Sequence, residues 1–338
     1  MNGKVNIYEL AEATGFSSST VSKALNKTGR ISEKTRKIIM DKAHELNYVA
    51  SYHAKALSQK KSWIIAVIFS DNLGIGLSHP HFSVILENFK QEVEKAGYEV
   101  TFINRNMGNT EMTYLEFCRY RQVEGVFIAN FYSLSNQLPE LINSGIPIVS
   151  ADGGDLEITT ITSDDVQGGK LATKYLIGLG HRKIYHIVGP FYTISAQDRQ
   201  KGFELVMKEN GISDYKVYEA ANYGFEDGYD QAVKIMKDQE LPTALFISGD
   251  WMALGAIKAF RENGIRVPED ISVIGYDNMD FLQYSYPALT TISQNKRQIG
   301  ITSAKHLIDK INGNKVDSVK IDVEVVERET CRRLSEEK

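Results

Sequence analysis

Few residues of this sequence have the type and spacing for bond-making chemistry. HPH places His79 and His81 two apart, the beginning of a metal site, but no third ligand follows at a matching interval, so no metal centre is expected. Cys118 and Cys331 are the only cysteines and lie far apart, which argues against a disulfide framework and a thiolate metal cluster. GIG at 74–76 lacks the rest of a GxGxxG loop and the following Lys-Ser/Thr. Neither a G-x-S-x-G elbow nor an S-x-x-K pair stands in a fitting context. Asp250 in SGDWMALGA and Asp277 in IGYDNMDF each come just after a short apolar run, where the mouth of an α/β cleft would be. Two such carboxylates suit acid–base hydrolysis of a sugar, and look the same in sequence if they only hold its hydroxyls. No catalytic residue and no cofactor is expected.

A different chemistry, hydrogen bonding to base edges, is suggested by VNIYELAEATGFSSSTVSKALNK at 5–27. Ser18, Ser19, Ser22 and Lys23 fall on the outward side of a short helix whose Val21, Ala24 and Leu25 point inward. Before it, Ile7, Leu10, Ala11 and Thr14 recur at i, i+3, i+4 and i+7, with Asn6 and Glu9 as a capping start and Gly15 as a stop. Ser17 caps the second helix. Two short amphipathic helices joined by a glycine turn make a helix-turn-helix, and a helix carrying small hydroxyls and one cation suits a major groove. The plain alternative for this segment alone is a helical hairpin with a solvated serine face. Ser32 then caps a third helix, SEKTRKIIMDKAHELNY, with Ile39, Ala43 and Leu46 inward.

Charge supports the first reading. Residues 1–62 hold 11 Lys+Arg against 5 Asp+Glu, or +6, while the remainder holds 28 against 38, or −10. A basic head on an acidic body is expected where one domain alone touches phosphates. At 338 residues, 42% hydrophobic and 24% charged, the chain suits two or three globular units. No apolar run approaches ~18 residues and no cleavable leader is evident, so a cytoplasmic protein without a membrane span is expected.

From Trp63 onward WIIAVIF, EVTFIN, GVFIAN, PIVSA, KIYHIVG, ALFISG and SVIGYD alternate with helical stretches such as 166–179, 197–210, 226–238, 251–263 and 297–312. The first helix carries Phe82, Ile85, Leu86, Phe89 and Val93 on one side. Such alternation means parallel sheets with helices on both faces, and about 270 residues of it means two doubly wound units.

The run from IYELAEATGFSSSTVSKALN through ISEKTRKII to ELNYV and AKALSQKKS resembles the LacI/GalR (lactose repressor and galactose repressor) family of bacterial regulators, in register without a gap from residue 4 to 62. The resemblance implies an N-terminal all-α helix-turn-helix head (1–50), a hinge helix (51–62), and an α/β periplasmic-binding-protein-like core of two doubly wound lobes (63–338). Lobe 1 would cover about 63–160 plus 292–320, and lobe 2 about 161–291 plus 321–332. It implies base contacts from Ser18, Ser19 and Lys23, phosphate contacts from Ser17, Ser22 and Asn26, and minor-groove contacts from the hinge residues Ala54 and Leu57. Leu57 would be the wedge, an apolar side chain that unstacks a base step. Lys23 stands where many relatives carry arginine, and Ala50-Ser51 where proline-asparagine is common.

For the core the resemblance implies an effector held by His81, Phe82, Ser195, Arg199, Tyr223, Asp250 and Asp277. One arginine and two carboxylates are suited to vicinal hydroxyls, and an aromatic ring to the apolar face of a sugar. Each has a bland alternative: Asp250 and Ser195 as helix caps, Asp277 as a turn cap, Tyr223 as packing, Arg199 in a pair with Asp198 or Glu204. Asp164 is a weaker candidate. The implied function is a DNA-binding repressor of carbohydrate-utilisation genes, acting as a homodimer on a pseudo-palindromic operator under control of a small sugar. The alternative is a corepressor-dependent regulator governed by a purine or a phosphorylated carrier protein. TCRRLSEEK carries no heptad run, so a dimer rather than a tetramer is expected.

Overall fold

The computed structural model describes residues 5–49, 61–70, 73–104, 106–107, 109–130, 137–153 and 157–334. They fall into two compact units, divided between Trp63 and Ile64. The expected hinge contacts Ala54 and Leu57 lie outside the described residues.

Among the described residues the first unit holds three helices, α1 (Ile7–Thr14), α2 (Ser18–Leu25) and α3 (Glu33–Glu45). Local chemistry sets every start. Asn6 Oδ1 accepts from the amides of Tyr8 and Glu9, while Glu9 returns a carboxylate to the Asn6 amide at 2.8 Å. Ser17 and Ser32 accept from Thr20 and Thr35 amides at 3.2 and 3.1 Å. Gly15 ends α1 at φ 70°, a left-handed conformation that glycine adopts without strain. Leu10, Ala11, Val21, Ala24, Ile39 and Ala43 close the small core.

The second unit begins with β1 (Ile64–Phe69), α4 (Pro80–Lys95), β2 (Glu99–Phe102), β3 (Asn106–Met107), β4 (Thr110–Glu111) and α5 (Tyr114–Arg121). It continues with β5 (Gly125–Asn130), α6 (Leu138–Ile142), β6 (Ile148–Ser150), β7 (Thr159–Ser163), α7 (Asp165–Gly178), β8 (Ile184–Val188) and α8 (Ile194–Glu209). Next come β9 (Val217–Glu219), α9 (Phe225–Ile235), β10 (Ala244–Ile247), α10 (Asp250–Glu262) and β11 (Ser272–Asp277). Last are a 3-10 turn at Asp280–Tyr284, β12 (Thr290–Gln294), α11 (Lys296–Ile311), β13 (Val319–Ile321) and β14 (Val323–Val326).

Two six-stranded sheets result, in the orders β13-β7-β6-β5-β1-β2 and β14-β12-β11-β10-β8-β9. Every pairing within them is parallel except β12 with β14. Central strands are apolar on both faces because helices cover both. Tyr185, Ile187, Leu245 and Ile247 pack with α9 and α10, whereas Ile184, Ala244 and Phe246 pack with α7 and α8.

The chain crosses between the lobes three times, from β7 to α7, from β12 to α11 and from β13 to β14. The Asp164 amide donates to the Ile321 carbonyl at 2.9 Å, and Ser163 Oγ donates to Gln294 Oε1 at 2.7 Å. The crossings are thus bonded to one another. Lobe boundaries expected at 160/161 and 291/292 cut through β7 and β12, and the one expected at 320/321 cuts through β13, whose crossing follows Ile321. The first two crossings fall after Ser163 and Gln294 instead, because each strand runs on to bring that side chain to the junction.

Candidate functional site

On the head, Ser19 and Lys23 of α2 are exposed, and Ser18 and Ser22 are half-buried. The Lys23 stem lies over Gly29, whose φ of +69° and missing side chain leave room for it. Ser17 is exposed, but its hydroxyl is engaged by the Thr20 amide and hydroxyl. Asn26 ends the helix and donates from Nδ2 to Ser22 Oγ at 3.4 Å.

Between the lobes lies a cavity of about 280 Å³, near the small end of ligand sites. His79, His81 and Phe82, at the start of α4, line it from the first lobe together with Asp152, Thr160 and Thr162. Asp165, Ser195, Arg199, Tyr223, Trp251 and Asp277 line it from the second, and Gln294 from a crossing.

Arg199 is the centre of this wall. It is 6% exposed, donates from Nε to Asp165 Oδ1 at 2.8 Å and from Nη1 to the Ser248 carbonyl at 2.6 Å, and lies 3.8 Å over the Tyr276 ring. Burial opposes its charge, but the Asp165 carboxylate and the tyrosines more than offset this, and its pKa is raised. Nη2 makes no hydrogen bond among the described residues. The pair depends on close helix packing: a β-carbon on Gly169 would strike the Arg199 carbonyl, and one on Gly202 the Val166 carbonyl. With glycine at both places α7 and α8 nearly touch, and Asp165, the first residue of α7, meets the guanidinium. Asp164 caps α7 through the Gln167 amide instead, so the reaching carboxylate is the one that the sequence did not single out.

Asp277 closes β11 at φ 122°, and Asn278 follows at φ 52°, conformations that non-glycine residues rarely hold. The buried Lys296 ammonium maintains them, donating to the carbonyls of Asp277 and Asn278 at 2.9 and 2.7 Å. Gln294 Nε2 donates to Asp277 Oδ1 at 2.5 Å, so a crossing residue grips the site carboxylate. Burial raises the Asp277 pKa, with Arg199 and Lys296 pulling it back. His81, from the opposite lobe, stands with Nδ1 3.9 Å from Asp277 Oδ1. Burial, then the Lys296 charge, push its pKa well below the usual value, so the imidazole is neutral and the gap is no ion pair. Tyr223 OH is 3.0 Å from Thr193 Oγ1 and 3.2 Å from Ser195 Oγ. Its ring occupies the place where a side chain at Gly189 would stand.

Six of the seven residues expected at the effector site line this cavity: His81, Phe82, Ser195, Arg199, Tyr223 and Asp277. Asp250 does not. It is fully buried, accepting from Thr291 Oγ1 at 2.7 Å and the Met279 amide at 3.0 Å, and so ties α10 to β12 and the turn after β11. Burial and the Asp277 charge raise its pKa. A carboxylate at a helix start after a strand reads as cleft-facing, but its partners arrive from distant strands. The neighbouring Trp251 lines the cavity in its place.

Residues 6–51 match the bacterial regulatory proteins of the lacI family, and residues 173–331 match a periplasmic binding protein-like domain. The transcriptional repressor PurR of Pasteurella multocida is 35% identical over 314 residues, covering 90% of this chain and 92% of that protein. The lac repressor dimer bound to operator and the anti-inducer ONPF superposes with a TM-score of 0.85 at 29% identity, over 98% of this chain and 100% of the other. A LacI family transcriptional regulator from Enterococcus faecium with bound ribose superposes at 0.69 and 26% identity, over 80% and 100%. No helix among the described residues is long and apolar enough to cross a membrane. With its helix-turn-helix head and two-lobed core, the chain belongs to the LacI family of DNA-binding transcriptional regulators.

Proposed function

We propose that this regulator is a cytoplasmic homodimeric repressor of carbohydrate-utilisation genes, acting on a pseudo-palindromic operator under the control of a neutral sugar. The observation that carries the ligand class is the cavity wall. Asp165 and Asp277 flank a guanidinium with one nitrogen to spare, and the rings of Phe82 and Tyr223 stand beside them. Carboxylates paired with an arginine accept and donate to vicinal hydroxyls, while the rings cover the C–H face. Asp152 adds a further carboxylate to the wall, and Asp198 stands there paired with Lys320 at 3.2 Å, so carboxylates outnumber the lining cations and disfavour a phosphate. The ribose held by the Enterococcus faecium regulator agrees with this class. A purine is the second reading, favoured by the aromatic side chains of Phe82, Tyr223 and Trp251, on which a planar base would stack.

The cavity is a binding site rather than a catalytic one, since the two carboxylates nearest the guanidinium are engaged, Asp165 by Arg199 and Asp277 by Gln294. Ligand binding and operator binding are then linked by one reciprocal coupling free energy. A thermal-shift screen of the full-length chain against neutral sugars, sugar phosphates, purine bases and nucleosides tests the class. A ligand at ~100 times its dissociation constant adds roughly 2.7 kcal/mol of apparent stability. A neutral sugar is the expected hit, lost in Asp277→Ala. A purine hit alone moves the assignment to the second reading, and silence across the panel sinks both and favours a phosphorylated carrier protein.

A further inference from the structure

Strand β8 reads Ile-Tyr-His-Ile-Val, and its middle residue, His186, is fully buried on the face that packs against α7 and α8. Its ring stacks on Phe246 at 4.3 Å and 14°, and on Phe203 at 5.1 Å and 27°. A polar ring costs stability in such a place unless both nitrogens are bonded. Both are: Nδ1 lies 3.0 Å from the Phe246 carbonyl, and Nε2 lies 3.3 Å from Ser248 Oγ. A carbonyl only accepts, so Nδ1 carries the proton. Nε2 is then the acceptor, and the Ser248 hydroxyl must donate to it. Burial holds the imidazole neutral, with a pKa down to about 3.

Ser248 is where this matters for ligand binding. It sits between β10 and α10, fully buried, with its amide donating to the Ile187 carbonyl at 2.8 Å. Its own carbonyl is the acceptor for Arg199 Nη1. Phe203, on the other face of the imidazole, lies one helical turn beyond Arg199 on α8. One ring therefore lies between the residue whose carbonyl Arg199 grips and the helix that carries Arg199.

We propose that His186 is a positioning residue for the effector site, fixing Ser248 so that its carbonyl orients the Arg199 guanidinium and leaves Nη2 facing the ligand. The proposal rests on the reading of Arg199 as a ligand group. Its test needs no ligand, so its outcome stands apart from that of the ligand screen.

The test is hydrogen exchange of the Arg199 guanidinium in full-length protein labelled with 15N-arginine, the signals being assigned by their loss in Arg199→Lys. In the unsubstituted chain slow exchange is expected for the Nη1 group, which is bonded to the Ser248 carbonyl. His186→Phe keeps the aromatic stack but removes both nitrogens, and Ser248→Ala removes only the hydroxyl. Each is expected to speed Nη1 exchange by about tenfold, the effect of one lost hydrogen bond, while Nε, held by Asp165, changes little. Phe203→Leu thins the stack, keeps the hydrogen bonds, and should leave Nη1 protected. Unchanged Nη1 exchange in Ser248→Ala overturns the proposal, even if His186→Phe fails to fold. Equal acceleration in Phe203→Leu also overturns it, since His186 would then act by packing alone.

Discussion

Replacing Arg199 with methionine separates the stability role of the buried ion pair from its ligand role. Methionine keeps much of the stem packing and deletes the charge. Asp165, whose side chain is only 11% exposed, then loses its cation, and the Ser248 carbonyl loses its donor. Breaking such a pair from one side costs about 3–5 kcal/mol, most of it from the uncompensated charge left behind. Asp165→Asn should cost a comparable amount by stranding the guanidinium. The double variant Arg199→Met/Asp165→Asn strands no charge, so its loss should fall short of the sum by about 2–3 kcal/mol. Urea unfolding of the core transition, followed by circular dichroism, measures all four corners of the cycle. Ligand response should vanish in every variant lacking Arg199, the double variant included. Additive losses, or Arg199→Met within about 1 kcal/mol of the unsubstituted chain, would refute the reasoning.

Asp250 makes a prediction with a sign. Its folded-state pKa lies above the unfolded value, so the folded state holds the proton more tightly, and stability is lost as pH rises from about 4 through the raised value. Asp250→Asn keeps an acceptor for the Met279 amide and removes the titration. Its melting temperature relative to the unsubstituted chain should climb as pH goes from 5 to 9, and a flat difference would count against a buried, proton-holding carboxyl. On the head, Lys23→Ala should relax discrimination at one position of each half-site, at a cost of about 1–3 kcal/mol per contact. Uniform weakening on all sequences, with a salt slope smaller by about 1 per head, would make Lys23 a phosphate contact instead.

Much of the molecule was legible because its signals are local. Asn6 with Glu9, Gly15, Ser17 and Ser32 set the helices of the head within a turn of themselves, and the central strands announce themselves as apolar β-branched runs. β7 (Thr-Thr-Ile-Thr-Ser) and β12 (Thr-Thr-Ile-Ser-Gln) do not, since their polar residues bond buried groups within a lobe, as Thr291 does Asp250, or meet at the lobe junction, as Ser163 and Gln294 do. They are the strands that deliver Ser163 and Gln294. Asp165 escaped notice because nothing near it distinguishes it from Asp164. The choice is made by Arg199, 34 residues away, across a glycine-to-glycine helix contact. Asp250 misleads for the converse reason, its local position suggesting the cleft while Thr291, 41 residues on, turns it inward.

The most direct measurement is selection of random duplex DNA by the full-length chain, followed by sequencing of the bound fraction. A two-headed LacI-family regulator should enrich a pseudo-palindrome whose half-sites lie about 10 base pairs, or a multiple of that, apart. No enriched sequence, or a lone half-site without a symmetric partner, would contradict the account of this protein as a dimeric operator-binding repressor.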